Sequence, residues 1–463
     1  MKKILTQWLP GLALMVPVGL LLVTADESAE LMAERGSVRQ QAAEEPIAFV
    51  NVNVVPMDRE RVLERHTVLV QGDRIIAVGP SGSIDMPPNA RQIDGTGRYL
   101  MPGLSEMHGH TPVPGGDPNT EFVRNMMFLY AANGVTTVRG MLGAPGQLEL
   151  RALAARGEII GPTLYQAGPS FNGNAINSPA EAEQRVRQQK AEGWDLLKVH
   201  PGLTMAEYDA MARTANEVGI RFGGHVPADV GLVHAMQMGQ QTFDHIDGYI
   251  AYLDAADKAI DMRRLDQIVE MTVRAGSWIV PTQVLWEVGV IGLGDIDQLM
   301  AMPELRYWPR QGVQSWATNF RQGQASANFD SELAQIHARN RQVVLKALAD
   351  GGVKMLMGTD SPQIFSVPGF SLHREMQAMR NAGMSTYQIL ESGTKNVGEY
   401  FEAWDSFGTV AIGRRADLIL LEANPLQGIE NVSRRAGVMV RGHWLPENEI
   451  QQRLAQIADW ADN

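Results

Sequence analysis

The chain has 463 residues, 44% of them hydrophobic and 20% charged, an ordinary globular mixture that excludes a disordered or fibrous protein. Its 52 acidic residues outnumber 40 basic ones, a formal charge of −12, so the basic surface that nucleic acid requires is not expected. There is no cysteine. Disulfides, thiolate metal sites and a cysteine nucleophile are therefore excluded, and a metal would have to be held by histidine or carboxylate. The length predicts one large domain accompanied by a smaller one.

Lys2 and Lys3 precede an apolar run from Trp8 to Ala25 that ends in the small residues Val23-Thr24-Ala25. This pattern predicts a secretory signal peptide over residues 1–25, hence a periplasmic or secreted protein. An uncleaved anchor is the alternative, because the run approaches bilayer-spanning length; after cleavage no stable membrane contact is expected. The charged, Ala-rich segment 26–45 predicts a flexible tether. Short strand-like runs (AFVNVNVV, HTVLVQG, RIIAVG, RQIDGTGRYL) fill 46–101, with Gly72-Asp73 as a turn, and ADLILLE and AGVMVRGHWL repeat that texture in 403–446. One small β-sandwich domain built from both chain ends is the expectation, followed by a C-terminal helix over 447–463.

Between 102 and 402 the texture alternates. Apolar runs (GLSEMH, TTVRG, TLYQAG, DLLKVH, RFGGHV, TFDHI, WIVPT, KMLMGTD) are separated by helical patterns such as AEAEQRVRQQKAEG, which is the signature of βα units and a parallel sheet. Eight such units over roughly 300 residues predict an α/β fold, a (β/α)₈ TIM barrel with insertions. In such barrels functional side chains stand at the C-terminal ends of strands. The first predicted strand ends in His108-Gly109-His110, the fourth in Lys198-Val199-His200, the fifth at His225, the sixth at His245 and the eighth at Asp360.

His108 and His110, two apart, face one side of an extended strand and make a half-site for a borderline cation such as zinc. Each of these residues alone has an ordinary structural explanation; jointly, at the ends of strands one, five, six and eight, they predict a metal site. His200 shares the strand face of Lys198 and is a candidate for substrate contact or for a hydrogen bond behind a ligand. Tyr249, in a short loop after His245, is a candidate donor to a carbonyl oxygen. The long segment 283–330 concentrates Trp286, Tyr307, Trp308, Trp316 and Phe320; long connections on this face are usually functional. Its aromatics, Trp286 first, are expected to wall an apolar substrate pocket, with a contact in a homo-oligomer as the alternative.

The combination of His108-x-His110, His225, His245 and Asp360 resembles the ligand pattern of the amidohydrolase superfamily. Tyr99-Leu100-Met101-Pro102-Gly103-Leu104 is similar to its entry into the barrel, and Gly413-Arg414-Arg415-Ala416-Asp417-Leu418-Ile419-Leu420 to its return strand. Within it, the chain most resembles the branch of imidazolonepropionase-like proteins and Xaa-Pro or Xaa-Arg dipeptidases. The resemblance implies that Lys198 is carboxylated and bridges two divalent ions, zinc by preference. It implies that His108, His110 and Asp360 hold one ion and His225 and His245 the other. Two cations lower the pKa of a bridging water and supply hydroxide near neutral pH, and Asp360 can take its proton and pass it to a leaving nitrogen. Three departures stand out: Glu106 where many relatives have Asp, Val226-Pro227 where many place another polar ring, and Gly140 after Arg139 where an acidic residue is common.

The expected activity is hydrolysis of an amide bond in a dipeptide, an N-acyl amino acid or a related small molecule. A cyclic amide, a lactone or a phosphotriester is the alternative, since the same hydroxide serves them all. A non-catalytic binding protein is a third possibility, disfavoured because the full ligand set is retained.

Overall fold

The computed structural model describes residues 45–462; the expected signal peptide, and the tether except Glu45, lie outside the described residues. Five strands come first: β1 (Ile47–Val54), β2 (Leu63–Gln71), β3 (Arg74–Pro80), β4 (Arg91–Asp94) and β5 (Tyr99–Pro102). Seven more follow: β6 (Leu104–Gly109), β7 (Val135–Gly140), β8 (Thr163–Gln166), β9 (Leu196–Val199), β10 (Arg221–Gly224), β11 (Thr242–Asp244) and β12 (Trp278–Val280). The last three are β13 (Leu418–Leu421), β14 (Arg435–Val440) and β15 (His443–Pro446), and a helix spans Glu447–Asp462.

The strands from the two chain ends form one eight-stranded sheet in the order β15-β14-β13-β5-β1-β2-β3, with β4 also on β1. The strands expected to form a sandwich are hydrogen-bonded into one sheet, which curls so that Phe49 of β1 meets Trp444 of β15 at 5.1 Å between ring centroids. The cause lies in β1. Its first half pairs with β4 and its second half with β5, and register shifts around Val52, beside Asn51 at φ 56°, bend the strand between them.

Alternation in β13 sends Leu418 and Leu420 to the sheet's own core with Phe49, Val68 and Trp444, while Ile419 and Leu421 face the main core. A strand buried on both faces needs no polar alternation, which explains the unbroken run Leu418-Ile419-Leu420-Leu421. Arg415 and Asp417 tie the sheet to the rest: Arg415 donates to Asp417 at 2.6 Å and to Thr137 of β7 at 2.7 Å.

The central region is a TIM-barrel-like α/β fold. Its parallel strands form two sheets, β6-β7-β8 and β12-β11-β10-β9. Bridges Ala167–Leu196 and Phe171–Val199 connect the end of β8 to β9. On the other side, residues 354–361 connect the two sheets without being assigned a strand. Leu356 N–H donates to Ile279 O at 2.8 Å, Met107 N–H to Met357 O at 2.8 Å and Asp360 N–H to His108 O at 2.6 Å. The outer helices start on caps supplied by the sequence, Thr120, Ser178 and Thr204, and several stop at glycines with positive φ, Gly193, Gly219 and Gly276. That arrangement satisfies end groups of the backbone and fixes where each chain segment turns back toward the next strand.

Candidate metal centre

His108, His245 and Asp360, all buried, offer ligand atoms that lie within 4.8 Å of one another. They come from β6, from the residue after β11 and from the eighth strand-like segment. His245 and Asp360 hold φ of 66° and 65°, and Thr282 after β12 holds 42°. Left-handed backbone at residues other than glycine costs on the order of 1–3 kcal/mol each and collects at functional sites. Here it turns side chains off their strands and into one space.

Asp360 Oδ2 lies 3.8 Å from His108 Nε2 and 3.7 Å from His245 Nε2, and His245 Nε2 is buried without a hydrogen-bond partner. A tetrahedral zinc with bonds of about 2.0–2.2 Å separates its ligand atoms by about 3.3–3.6 Å. The spacing and the orphaned nitrogen therefore fit a shared cation better than they fit hydrogen bonds. The other expected ligands stand beside these three. His110 Nε2 meets Asp360 Oδ1, the His225 ring stands 4.4 Å from that of His245, and Lys198 Nζ is 3.0 Å from His108 Nε2. The three groups that converge most tightly thus mix the two ligand sets that the resemblance implies.

Lys198 is fully buried, and burial pushes its ammonium down to about 8. Room for its stem exists because Gly224 precedes His225: a Cβ there would stand 2.9 Å from Lys198 Cδ and 2.5 Å from Val199 O. Burial and the Lys198 charge push the His108 imidazole down to about 4. Burial raises the Asp360 carboxyl, but His108 and His110 outweigh it and hold the group well below the usual carboxylate range. At neutral pH His108 and His245, whose imidazoles burial holds below the usual range, are therefore neutral and Asp360 is ionised, the states in which these groups bind cations.

Several residues around the ligands were given no role in the sequence. His108 Nδ1 lies 2.6 Å from Asp244, His225 Nδ1 2.5 Å from Asp247, and His245 Nδ1 2.7 Å from the Thr282 hydroxyl. His225 and His245 are thus tied at Nδ1 by hydrogen bonds, whereas His108 Nδ1 makes a close approach to Asp244 without hydrogen-bond geometry. Buried Glu106 accepts from His108 N–H at 3.0 Å, Thr359 N–H at 2.8 Å and the Thr359 hydroxyl at 2.5 Å. It couples the strand of His108 to the segment of Asp360. Gly358 leaves that space open, since a Cβ would stand 2.7 Å from His108 N. Glu375 accepts from Gln283 and Val284 N–H at 2.7 and 2.9 Å, pinning the start of the long insertion, and burial pushes its carboxyl up to about 7. The signal available in the sequence was a charged residue inside an apolar strand run, as at Glu106, Arg139 and Asp244.

Of the substrate candidates, His200 stacks on His225 at 5.0 Å between centroids and has a buried Nδ1 without a hydrogen-bond partner. Tyr249 is corrected. It is fully buried, its hydroxyl is engaged by Thr272 at 2.8 Å, and its ring packs with Phe243. The reason is a short helix, Tyr249–Leu253, that begins at once and turns the ring into the core. Trp286 lies against Arg341, whose guanidinium is 4.3 Å from the ring and donates to His245 O at 2.7 Å. It abuts the scaffold of the centre. Tyr307, Trp308 and Phe320 are buried within the chain against Phe370, Phe122 and Phe365 and anchor the insertion.

The amidohydrolase family profile matches residues 99–445, a span that includes every ligand above. The chain belongs to the amidohydrolase family. An imidazolonepropionase from Arthrobacter sp. (strain FB24) is 33% identical to it over 413 residues, 78% of this chain and 89% of that protein. Ochratoxinase from Aspergillus niger is 24% identical over 454 residues, 81% of each chain. Among solved structures, a putative prolidase from Bifidobacterium longum superposes with a TM-score of 0.68 at 21% identity, over 89% of this chain and 99% of that one; this likeness carries the fold. This amidohydrolase is a metal-dependent hydrolase acting on amide carbon–nitrogen bonds.

Proposed function

We propose that the centre holds two divalent ions, zinc by preference, bridged by a carboxylated Lys198, and hydrolyses the amide bond of a dipeptide, an N-acyl amino acid or a related small molecule. The carrying observation is the fully buried Lys198 Nζ, 3.0 Å from His108 Nε2 among His245 and Asp360. A lysine of ordinary structural role reaches solvent or a carboxylate partner. Carboxylation needs carbon dioxide: the neutral amine adds to it, a proton leaves, and an anionic oxygen donor results.

His108, His110, Asp360, His225, His245 and the modified Lys198 would hold the ions. Ions bound there would supply an activated water and polarisation of the scissile carbonyl. Asp360 accepts the proton of the attacking water and delivers it to the leaving nitrogen, so that the carbon–nitrogen bond breaks to a carboxylic acid and an amine. His200, beside His225, orients the substrate. Trp286 supports the wall of the centre through Arg341.

The fold likeness to a prolidase supports the dipeptide reading, and the 33%-identical imidazolonepropionase supports a cyclic amide as the second substrate class. We further propose an eight-stranded closed barrel with residues 353–360 as the last strand, export to the periplasm or outside the cell through residues 1–25, and assembly as a homo-oligomer. Screening the metal-loaded enzyme against dipeptides, N-acyl amino acids, cyclic amides, lactones and phosphotriesters tests the substrate assignment. Turnover confined to lactones or phosphotriesters would overturn it.

A further inference from the structure

Arg341 lies in the helix Ser331–Asp350, which leads from the insertion to the eighth strand-like segment. Its side chain is 1% exposed. Nη1 donates to His245 O at 2.7 Å and Nη2 to Pro281 O at 3.3 Å, while Nε is buried without a hydrogen-bond partner. The charge is thus answered by backbone carbonyls, with no carboxylate in contact among the described residues. A buried charge without a counter-ion is a poor way to stabilise a fold, so the place of these two carbonyls gives the arginine its use.

His245 O belongs to the peptide between His245 and Ile246, which hold φ of 66° and 55°, and Pro281 O to the peptide before Thr282, at 42°. These are the turns by which the chain leaves the paired strands β11 and β12. Residues other than glycine stay in the left-handed region only where their surroundings over-determine them, and one guanidinium reaches both turns. What the turns deliver belongs to the centre. They carry the His245 ring, the Thr282 hydroxyl at 2.7 Å from His245 Nδ1, and Asp247, whose carboxylate lies 2.5 Å from His225 Nδ1. Trp286 of the insertion covers the guanidinium at 4.3 Å in a cation–π contact, and its ring stands 6.1 Å from that of His337, one turn earlier on the same helix.

We propose that Arg341 is a positioning residue that locks the left-handed turns after β11 and β12 and so sets where the His245 ring and Asp247 stand in the metal centre. The part that concerns metal rests on the metal reading above. A planar fork of donors spans two carbonyls on neighbouring strands, whereas a lysine ammonium on its flexible stem does not hold that spacing.

The test compares Arg341→Met, which keeps a long stem and removes the buried charge, with Arg341→Lys, which keeps the charge and loses the fork. The first readout, amide hydrogen exchange of the chelator-treated protein, needs neither metal nor activity. His245 N–H donates to Val280 O at 2.7 Å and Trp286 N–H to Thr282 O at 3.2 Å. In Arg341→Met both should exchange about 10-fold faster or more, the scale of one hydrogen bond to a charged group, while the amides of β13 keep their wild-type rates. The second readout is Co²⁺ affinity, which should fall by about 10–100-fold, the range for loss of an outer partner of a ligating histidine. Arg341→Lys should lie between the wild type and Arg341→Met in both. Wild-type exchange at the two turns overturns the proposal, and so does faster exchange spread evenly through the chain, which would make Arg341 a general stabiliser. Faster exchange at the turns with wild-type Co²⁺ affinity would overturn the link to the centre. Should Arg341→Met not fold, the same outcomes are read from Arg341→Lys. A wild type that binds no Co²⁺ would sink the metal reading, while exchange at the turns still decides this one.

Discussion

Strand β13 of the eight-stranded sheet and the C-terminal ends of the ring strands are both buried, and they bury opposite things. In the sheet, Leu418-Ile419-Leu420-Leu421 places apolar side chains on both faces, and burial is its own reward. At the ring's strand ends, Lys198, Asp244, His245, Arg139 and Asp360 lie with almost no exposure, where charge is costly unless every group is paired or bound to metal. Removing a side chain from the sheet should therefore cost stability and spare chemistry. Removing one from the strand ends should cost chemistry first, and stability as well wherever it leaves a buried charge unpaired.

Lys198→Ala should show the largest effect, with most bound metal and nearly all turnover lost. Metal analysis beside a rate measurement checks this; two ions per chain with normal turnover would contradict the bridging role. Asp360→Asn keeps the size but removes the proton acceptor, and turnover should fall by about 100-fold or more, in line with the loss of a general base. Full activity with metal bound would exclude that role.

In the sheet, Leu420→Ala should cost about 2–5 kcal/mol of stability, the range for a buried leucine, with metal content unchanged. Denaturant unfolding and metal analysis together would show whether the two regions separate as stated. An unstable variant that also sheds its metal would mean the sheet is coupled to the centre.

The smallest effect concerns Glu375. Its carboxyl is raised from an ordinary value near 4.5 to about 7 by burial, so the folded state binds more protons than the unfolded one between those values. Its contribution to stability is complete below about pH 4.5 and is lost as pH rises through about 7. Glu375→Gln should therefore remove a downward contribution and change the slope of the metal-free protein's unfolding temperature against pH between 5 and 8, while depressed histidines such as His108 act with the opposite sign in both proteins. An unchanged slope would rule out the glutamate as its source.

The same contrast explains what was legible in the sequence. His108, His110, Lys198, His200, His225, His245 and Asp360 stand out because each polar residue closes an apolar strand run, and position in a parallel α/β ring then gives them a common direction. Asp244 stands directly before His245 and was absorbed into the same strand end. Arg139 was noticed for its neighbour Gly140, since pairing across the ring, from β7 to β11, joins residues 105 apart in the chain. Tyr249 misled because hydroxyl chemistry is visible in a sequence, whereas the helix that turns the ring into the core is only five residues long. The sheet posed a different difficulty. Period-two alternation tells which face a residue occupies, but not how the strands from the two chain ends are ordered in one sheet or where β1 bends near Val52. The insertion's aromatics were legible as a cluster, yet their partners Phe122, Phe365 and Phe370 lie outside the segment.

The most direct test of the central claim is a count of metal and carbamate in the wild-type protein. Protein exchanged into ¹³C-bicarbonate, loaded with zinc and freed of excess, should contain two zinc ions per chain by elemental analysis. It should also show one carbamate carbon resonance in the ¹³C spectrum that is absent from Lys198→Ala. A fully active wild-type enzyme with a single ion per chain and no carbamate signal would contradict the account.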